Sequence, residues 1–409
     1  MKRWICVRWK ILEKTLSKMV ITRWNGRLLT ALFEGKDAVE IGLEEESSIL
    51  GNIYIGKVKN IVKNLNSAFV DFGEGRTGYY SLTDNPVPLF ANGSCGKLKG
   101  GDEIIVQVAK DAVKTKDPVL SANLNFTGKY AVLTAARSQI GFSGKIADKE
   151  WKEQLKPRLE MLTEGKFGII VRTNAYGMDE LLLQEIKGLM DQYQQVLEKA
   201  RYRTCFSLLY EAEPEYLKSL RNCPEGSVDE IVTDDEIVFD TIGHYLKLYQ
   251  PDEGGKLRRY SDSMISLTKL YSLETVIEQA CQKRVWLKSG GYLIIEPTEA
   301  MVVIDVNTGK YSGRKNPEDT IRMINLEAAQ EICRQLRIRN LSGIIMVDFI
   351  DMKTDEDNEL LLSTLRRYAA QDPIKIHVLD MTQLGLVEMT RKKGKKPLWE
   401  QIYKTDQCK

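Results

Sequence analysis

Two apolar runs near the C-terminal end of the sequence each stop on an aspartate, and a helical pattern separates them. The first run, MVVIDVNTGK, carries Asp305, and the second, GIIMVDFIDM, carries Asp348. Between them, Asn316 can cap a helix that begins at Pro317, and apolar residues then recur every three or four positions. This order predicts a β-α-β unit, and a second crossover leads into IKIHVLD.

The predicted β-α-β unit brings Asp305 and Asp348 to one edge of a sheet, because its two strands run parallel and open α/β sheets place their sites at the carboxyl ends of strands. Two carboxylates there repel each other unless a cation or a shared proton relieves them. Mg²⁺ prefers oxygen ligands, and Asn307 offers one more close by. Asp351 and Asp380 are additional acids near this edge. The alternative is that a strand-end aspartate only caps the following turn.

The two histidines, His244 and His377, do not form a convincing acid–base pair. His377 alternates within an apolar strand pattern, which is typical of a structural side chain. A metal-activated water is therefore a better candidate nucleophile than a side chain activated by histidine.

Length predicts two or three domains, and composition predicts that they are globular. The chain has 409 residues, of which 43% are hydrophobic and 28% charged. Its seven cysteines form no CxxC pair, which argues against a disulfide framework or a closed zinc site. No apolar run is long enough to cross a bilayer, and the basic start lacks a signal-peptide core, so we expect a cytoplasmic protein. A net charge of +2 does not by itself indicate nucleic-acid binding.

Short strands dominate the first part of the chain. Asn25-Gly26 joins two strand patterns in a predicted hairpin, which opens a β-meander over residues 19–43. From residue 50 the pattern becomes that of a small five-stranded barrel of the OB kind. Residues 123–215 combine strands with two helices, which predicts an α+β domain. The helices are expected around residues 148–162 and 178–202.

Aromatic and basic residues are interleaved in the predicted barrel. Rings can stack on bases and basic side chains can bind phosphates, a combination that proteins use on single strands. The alternative is that these rings fill the barrel, and we expect about half of them in its interior. The rings are Tyr54, Phe69, Phe72, Tyr79 and Tyr80, and the basic residues are Lys57, Lys59, Lys63 and Arg76.

The runs VVIDVNTGK, NLEAAQEICRQLRIRNLSGIIMVDFIDM and LGLVEMTRKK resemble the ribonuclease E/G family. The resemblance is most specific over residues 283–393 and extends back through GNIYIGKV and AFVDFG. It implies an α+β multidomain protein in which an RNase H-like domain is interrupted by an OB-fold (S-one-type) RNA-binding barrel and a 5′-sensor domain. A deoxyribonuclease-I-like α/β catalytic domain follows.

The resemblance also sets expected domain boundaries. The expected segments are an N-terminal extension or misassigned start at 1–18, the RNase H-like domain in two parts at 19–49 and 216–280, the barrel at 50–122, the sensor at 123–215, the catalytic domain at 281–395 and a C-terminal tail at 396–409.

The family's catalytic metal ligands match Asp305 and Asp348, and its supporting amide matches Asn307. The residues singled out by the strand pattern and those implied by the resemblance are therefore the same. The resemblance implies an Mg²⁺-dependent endoribonuclease that cleaves single-stranded RNA and leaves 5′-phosphate and 3′-hydroxyl ends. Its implied substrates are ribosomal RNA precursors and messenger RNAs, so its implied roles are rRNA processing and mRNA decay.

The resemblance places RNA contacts of the barrel on Phe69, Tyr79 and Lys116. Tyr79 stands where some relatives carry phenylalanine, and the exchange keeps a ring for stacking.

The segments GKYAVL and GIIVRTNAYG resemble the family's pocket for a 5′-monophosphate, at Gly128, Val132, Arg172 and Thr173. The planar guanidinium of Arg172 can grip a terminal phosphate at two points, and a hydroxyl and backbone amides can satisfy its other oxygens. The resemblance thus implies stimulation by a 5′-monophosphate. Apart from the resemblance, an Arg-Thr pair at a strand end is more often a simple surface contact.

The C-terminal segment departs from the family pattern. After EMTRKK, relatives commonly carry a CPxC motif whose thiolates from two subunits share a zinc ion, whereas this sequence ends KTDQCK with Cys408 alone. One thiolate per chain gives a dimer two ligands, short of the four in a structural zinc site, so we expect no zinc link. A homodimer or a homotetramer through another interface stays open. The lack of a long disordered arm favours the compact, G-like form.

Two other functions stay open from the sequence. A noncatalytic RNA-binding protein would keep the barrel and the sensor but lose a carboxylate, and both carboxylates are present. A phosphatase or deoxyribonuclease would use the same acidic edge, but the aromatic barrel disfavours it. Cleavage assays on RNA and DNA oligonucleotides would separate these enzymes.

Overall fold

The computed structural model describes residues 16–44, 48–112, 116–135, 138–224, 226–309 and 317–403. The chain forms two compact units, one built from residues 1–45 and 226–409 and the other from residues 46–225. In chain order, the second unit is therefore inserted into the first. The predicted helix cap Asn316, the lone C-terminal Cys408 and residues 1–15 of the predicted extension lie outside the described residues.

The first unit begins with an antiparallel meander. Its strands are β1 (Ser17–Trp24), β2 (Arg27–Glu34) and β3 (Asp37–Leu43). Asn25 and Gly26 have positive φ angles of 49° and 80°, as a two-residue turn between twisted strands requires. Strand β2 pairs antiparallel with both β1 and β3, which confirms the predicted meander.

The second unit opens with a closed five-stranded barrel. Its strands are β4 (Ile53–Val62), β5 (Ser67–Asp71), β6 (Thr77–Ser81), β7 (Glu103–Lys110) and β8 (Val119–Ser121). They close in the order β4-β5-β6-β8-β7-β4, and β6 and β8 run parallel. Buried residues such as Val70, Ile104 and Leu120 fill the interior. The barrel is consistent with the predicted OB fold.

The rest of the second unit mixes helices with a small sheet. Its elements are β9 (Asn125–Thr127), β10 (Ala131–Thr134), β11 (Ile140–Phe142), α1 (Lys149–Thr163), β12 (Gly168–Val171), α2 (Asp179–Tyr202), β13 (Leu208–Tyr210) and α3 (Glu215–Asn222). The sheet order is β11-β12-β10-β9, and β13 pairs with β4 of the barrel. Both predicted helices are confirmed, and the Asp148 side chain caps α1 by accepting a hydrogen bond from the Trp151 amide.

The chain then returns to the first unit through β14 (Glu230–Thr233), α4 (Glu236–Tyr249), β15 (Leu257–Arg259), α5 (Leu267–Leu270) and α6 (Leu273–Cys281). Strand β14 pairs parallel with β1, which completes a sheet in the order β15-β14-β1-β2-β3. Asp235 caps α4 by accepting a hydrogen bond from the Val238 amide at 3.1 Å.

A second large sheet completes the first unit. Its elements are β16 (Arg284–Trp286), β17 (Tyr292–Pro297), β18 (Met301–Asn307), α7 (Pro317–Ile338), β19 (Gly343–Asp348), α8 (Asp355–Ala369), β20 (Ile376–Met381), β21 (Leu386–Arg391) and α9 (Leu398–Ile402). Strands β18 and β19 run parallel on either side of α7, which confirms the predicted β-α-β unit. The strand order is β16-β17-β18-β19-β21-β20. Strand β21, which the sequence pattern did not predict, lies between the two strands joined by the second crossover.

Helices α7 and α8 pack on one face of this sheet. Ile304 and Val347 point into that core together with Ile324 of α7. The residues that alternate with them, such as Met301 and Val303, are exposed in the described structure. We call this second side the exposed face of the sheet. None of the helices in the described residues is long and apolar enough to span a bilayer.

A buried ion pair holds the end of β21. Arg391 donates from Nε to Asp372 at 2.8 Å and from Nη1 to the Asn340 side chain at 3.1 Å, and both charged residues are almost fully buried. The arginine in EMTRKK thus joins β21 to the segments that follow α7 and α8, which is a structural role.

Candidate functional site

Asp305 and Asp348 are direct register partners on the neighbouring parallel strands β18 and β19. Both lie on the exposed face, because each alternates with a buried neighbour, Ile304 or Val347. Adjacent strands are about 4.8 Å apart, so the two carboxylates occupy adjoining positions. The structure therefore brings together the two acids that end the apolar runs. Their role as metal ligands stays a prediction.

The residues after Asp305 shape the same edge. The side-chain amide of Asn307 donates a hydrogen bond from Nδ2 to Asp305 Oδ2 at 2.7 Å, which orients the carboxylate. Gly309 has a φ of 63°, and a Cβ at this position would overlap the carbonyl oxygen of Gly290. The NTG sequence thus supplies an orienting amide, and its glycine is required by a close backbone approach.

The donor set fits Mg²⁺, which keeps several waters and is commonly bound by one or two carboxylates. Asp305 and Asp348 would supply those carboxylates, with Asn307 beside them. Among the described residues, no group of three or more carboxylate, imidazole or thiol side chains is arranged to hold a metal ion. Asp351 and Asp380 therefore do not extend the pair into a larger acidic cluster.

Helix α7 fixes the backbone just beyond Asp348. The fully buried Asn325 donates from Nδ2 to the Ile350 carbonyl oxygen at 2.7 Å and accepts from the Ile350 amide at 3.2 Å. These bonds hold the chain two residues after the carboxylate. The sequence signal for this role is a polar residue within the apolar stripe of α7, next to Ile324.

A second polar residue of α7 fixes the turn between β16 and β17. Glu327 accepts hydrogen bonds from the backbone amides of Lys288 at 2.6 Å and Ser289 at 3.2 Å. The turn that follows Trp286 is therefore tied to the helix.

The barrel separates its five candidate rings between two sides. Tyr54, Phe72 and Tyr80 are buried in the interior. Phe69 and Tyr79 are half-buried partners across β5 and β6, with ring centroids 6.2 Å apart. These two rings lie on the outer side, because their neighbours along each strand point inward.

The outer rings lie in one row across the barrel. Asn60 pairs with Phe69, and Val119 pairs with Tyr79. Lys116, the third predicted RNA contact, is exposed shortly before Val119 on the same segment. This row is the candidate RNA-binding surface of the barrel.

Two of the basic residues of the barrel are engaged within the protein. The guanidinium of Arg76 lies over the ring of Phe72 at 5.1 Å, and Lys59 Nζ is 3.1 Å from Asp71 Oδ2. Lys57 and Lys63 are exposed. Only some of the basic side chains expected to bind RNA phosphates are therefore without a partner role inside the barrel among the contacts described above.

Two of the predicted sensor residues, Gly128 and Arg172, are in contact at the ends of β9 and β12. Arg172 donates from Nη1 to the Gly128 carbonyl oxygen at 2.6 Å and from Nη2 to Asn222 Oδ1 at 2.5 Å. The exposed Thr173 shares a hydrogen bond of 2.9 Å with the Ser143 hydroxyl. Val132 lies on β10, where it pairs with Ile170 of β12. Asn222 was not predicted from the sequence.

A buried carboxyl group organises the backbone next to Gly128. Glu185 accepts hydrogen bonds from the amides of Lys129 at 2.6 Å, Tyr130 at 2.7 Å and Ala131 at 2.9 Å. Burial raises the pKa of this carboxyl, and the backbone hydrogen bonds oppose that shift. A Cβ on Gly128 would overlap the Glu185 carboxyl group, so a larger residue would displace that group from its three backbone amides.

Comparison with known proteins gives matches to one family. The family model described as "Ribonuclease E/G family" matches residues 125–394. Ribonuclease G of Haemophilus influenzae is 36% identical over 374 residues, which cover 88% of this chain and 76% of the relative. Ribonuclease G of Escherichia coli K12 is 32% identical over 382 residues, covering 90% and 78%. Ribonuclease E of a Synechocystis strain is 32% identical over 382 residues, covering 91% and 56%.

The family match and these relatives define an enzyme that hydrolyses RNA. Its structure has paired carboxylates at the ends of two strands and a barrel that presents aromatic rings. The chain belongs to the ribonuclease E/G family.

Proposed function

We propose that this chain is an Mg²⁺-dependent endoribonuclease that cleaves single-stranded RNA and is stimulated by a 5′-monophosphate. The observation that carries the proposal is the register pairing of Asp305 with Asp348 on the exposed face of the sheet. Two adjoining carboxylates that face solvent can hold a divalent ion and still leave room for a phosphodiester. Its proposed substrates are ribosomal RNA precursors and messenger RNAs.

Each residue at the sheet edge has a distinct part in this proposal. Asp305 and Asp348 would hold the ion, and bound there it supplies Lewis acidity for activating water and stabilising charge on the phosphate oxygens. Asn307 keeps the Asp305 carboxylate oriented through its amide. Asn325 keeps the backbone after Asp348 in place, so that the carboxylate pair is preorganised before substrate arrives.

The proposed preference for single strands rests on the outer rings of the barrel. Phe69 and Tyr79 can stack only on bases that are not already stacked within a duplex. Lys116, which is exposed, would contact the RNA backbone beside them. The contribution of each ring is expected to be about 1–3 kcal/mol of binding free energy.

The proposed 5′-end preference rests on Arg172 and Thr173. The Arg172 guanidinium donates to the Gly128 carbonyl and to the Asn222 side-chain oxygen, and its charge also interacts with the buried Glu185 carboxyl group. A terminal phosphate would offer charged acceptors, and charge-assisted hydrogen bonds are roughly twice as strong as neutral ones. A 5′-hydroxyl end offers no charged acceptor, so Arg172 would gain no such hydrogen bond from it.

We further propose the family's domain architecture for this chain, with the boundaries expected from the resemblance. The insertion of one compact unit between two segments of the other supports an interrupted RNase H-like domain. The described cysteines are all free thiols, which is compatible with action in the reducing cytoplasm. Self-association into a homodimer or homotetramer also remains part of the proposal.

The direct test is a cleavage assay on purified full-length protein. Matched oligonucleotides would be a 5′-monophosphorylated A/U-rich RNA, the same RNA with a 5′-hydroxyl, and the same sequence as DNA, each with Mg²⁺ and with EDTA. We expect internal cleavage of both RNAs only with Mg²⁺, faster on the monophosphorylated one, and products with 5′-phosphate ends. Absence of RNA cleavage with Mg²⁺, or equal cleavage of the DNA, would refute the proposal.

A further inference from the structure

An arginine lies in line with the two carboxylates on the exposed face of the sheet. Arg284 on β16 pairs with Ile294 on β17, Ile294 pairs with Asp305, and Asp305 pairs with Asp348. Side chains of register partners point to the same face of a sheet. Arg284 is therefore two strands from Asp305, roughly 10 Å at the usual strand spacing, and projects from the same surface.

Two aromatic rings accompany this arginine. The Arg284 guanidinium lies 4.7 Å from the ring centroid of Tyr292 and 5.7 Å from that of Trp286. The two rings meet edge to face with centroids 5.3 Å apart, and Trp286 is 63% exposed. We call these three residues the Trp286 platform.

The platform is held in place on both sides. Tyr292 pairs with Asn307, the residue that orients the Asp305 carboxylate. On the other side, Glu327 anchors the turn that follows Trp286 through two backbone amides. The rings are thus built on strands and a fixed turn, which gives a defined position relative to the carboxylates.

The chemistry of the platform fits a nucleotide. An exposed indole offers a stacking surface to any base, and aromatic rings beside basic side chains are the usual means of holding single strands. The face of a guanidinium can rest on a ring while its N–H groups donate within the plane to a phosphate. Arg284 can therefore contact a phosphate without leaving Tyr292.

We propose that the Trp286 platform is a substrate subsite that stacks one base of the RNA strand near the scissile phosphate, while Arg284 binds a backbone phosphate. Single-stranded RNA is preferred to a second copy of this chain as occupant, because the platform is continuous with the carboxylate row and carries a cation. The choice of RNA as the polymer rests on the proposed function.

The first test measures RNA affinity without cleavage. Fluorescence anisotropy with a 5′-hydroxyl single-stranded RNA in EDTA would compare wild type with Trp286→Ala, Trp286→Phe and a control, Tyr403→Ala. Tyr403 is 65% exposed and lies in the same unit, so it controls for loss of an exposed ring. We expect about tenfold weaker binding for Trp286→Ala, recovery in Trp286→Phe and no change in Tyr403→Ala. Unchanged binding in Trp286→Ala would overturn the proposal.

The second test identifies stacking by coupling. Short RNAs would each carry one abasic nucleotide at a different position, and the affinity of each would be measured for wild type and Trp286→Ala. At one position the missing base should weaken wild-type binding about tenfold and leave the affinity of Trp286→Ala unchanged. The reason is that ring and base form one stacking contact, which the variant has already lost. Additive losses at every position would exclude a base on the platform.

Two outcomes separate this inference from the proposed function. If wild type cleaves RNA but no position couples to Trp286, the platform is wrong and the endoribonuclease stands. If coupling appears but wild type cleaves no RNA, the platform stands as an RNA-binding site and the endoribonuclease fails. Sedimentation velocity adds a check: dissociation of an oligomer by Trp286→Ala, with RNA affinity unchanged, would assign the rings to a second copy and overturn the proposal.

Discussion

Asn325 holds Ile350 by two hydrogen bonds, donating to its carbonyl oxygen at 2.7 Å and accepting from its amide at 3.2 Å. A side chain on a helix thereby fixes the backbone beyond the carboxylate of Asp348. Asn325→Leu should remove the side-chain partner of both partly buried backbone groups, which costs up to about 1–3 kcal/mol for each group. We expect a lower Tm, slower cleavage and a higher Mg²⁺ concentration at half-maximal rate.

The control for Asn325 is Gln335→Leu. Gln335 is also a buried polar residue of α7, but it bonds to Glu331 and Arg339. This variant should lower Tm without changing the Mg²⁺ requirement. An equal Mg²⁺ requirement in both variants would assign Asn325 a purely structural role.

The carboxylate pair should be needed for the chemical step and much less for RNA binding. Asp305→Asn and Asp348→Asn each keep the side-chain shape and remove a charge from the register pair. Each should slow cleavage by roughly a hundredfold or more, because several kcal/mol of metal assistance are lost. Single-turnover rates at matched Mg²⁺, together with RNA affinity in EDTA, measure both effects. Near-normal turnover in either variant would contradict the two-carboxylate site.

Phe69 should contribute to RNA binding, whereas Phe72 should contribute to folding. Phe69 is half-buried on the outer side of the barrel, and Phe72 is fully buried inside it. Phe69→Ala should weaken single-stranded RNA binding by about 1–3 kcal/mol with little loss of stability. Phe72→Ala should cost about 3–5 kcal/mol of unfolding free energy. Denaturation curves and binding titrations on both variants decide the matter, and lost stability with unchanged affinity in Phe69→Ala would refute stacking.

Arg172 should set the preference for the 5′ end. Arg172→Ala should bring the ratio of kcat/KM between monophosphorylated and hydroxyl-ended RNA close to one, and leave the rate on hydroxyl-ended RNA nearly unchanged. The control is Arg158→Ala, because Arg158 is exposed in the same unit and pairs with Asp179 and Glu180. Its loss should leave the ratio unchanged. A wild-type ratio near one, or a ratio that survives Arg172→Ala, would remove the sensor role.

The meeting of Asp305 and Asp348 could be predicted from the sequence because a crossover helix forces its two strands to run parallel. The place of β21 in the sheet could not be predicted in this way. Its position depends on pairing between Gly343 and Arg391, which are far apart in sequence, and a local pattern does not encode strand order. The contact between Asn325 and Ile350 could not be predicted either, because it depends on how α7 packs against the sheet.

The outer rings of the barrel also show what the sequence pattern predicts and what it does not. Alternation along β6 predicts that Tyr79 and Tyr80 point to opposite sides, but not which of them points inward. The closed pairing of the barrel settles that question, with Tyr80 in the core and Tyr79 outside beside Phe69. The sequence therefore offered five candidate rings, and the structure places two of them, Phe69 and Tyr79, on the outer side of the barrel.

The insertion of residues 46–225 between β1 and its partner β14 has a consequence for synthesis on the ribosome. At about 5–20 residues per second, roughly ten to forty seconds pass before the chain that pairs with β1 emerges. During this delay the meander has an unpaired strand edge at β1, while the inserted unit is being made. The sheet that contains β1 can therefore close only after the inserted unit has been made, and until then the free edge of β1 is exposed to mispairing between nascent chains.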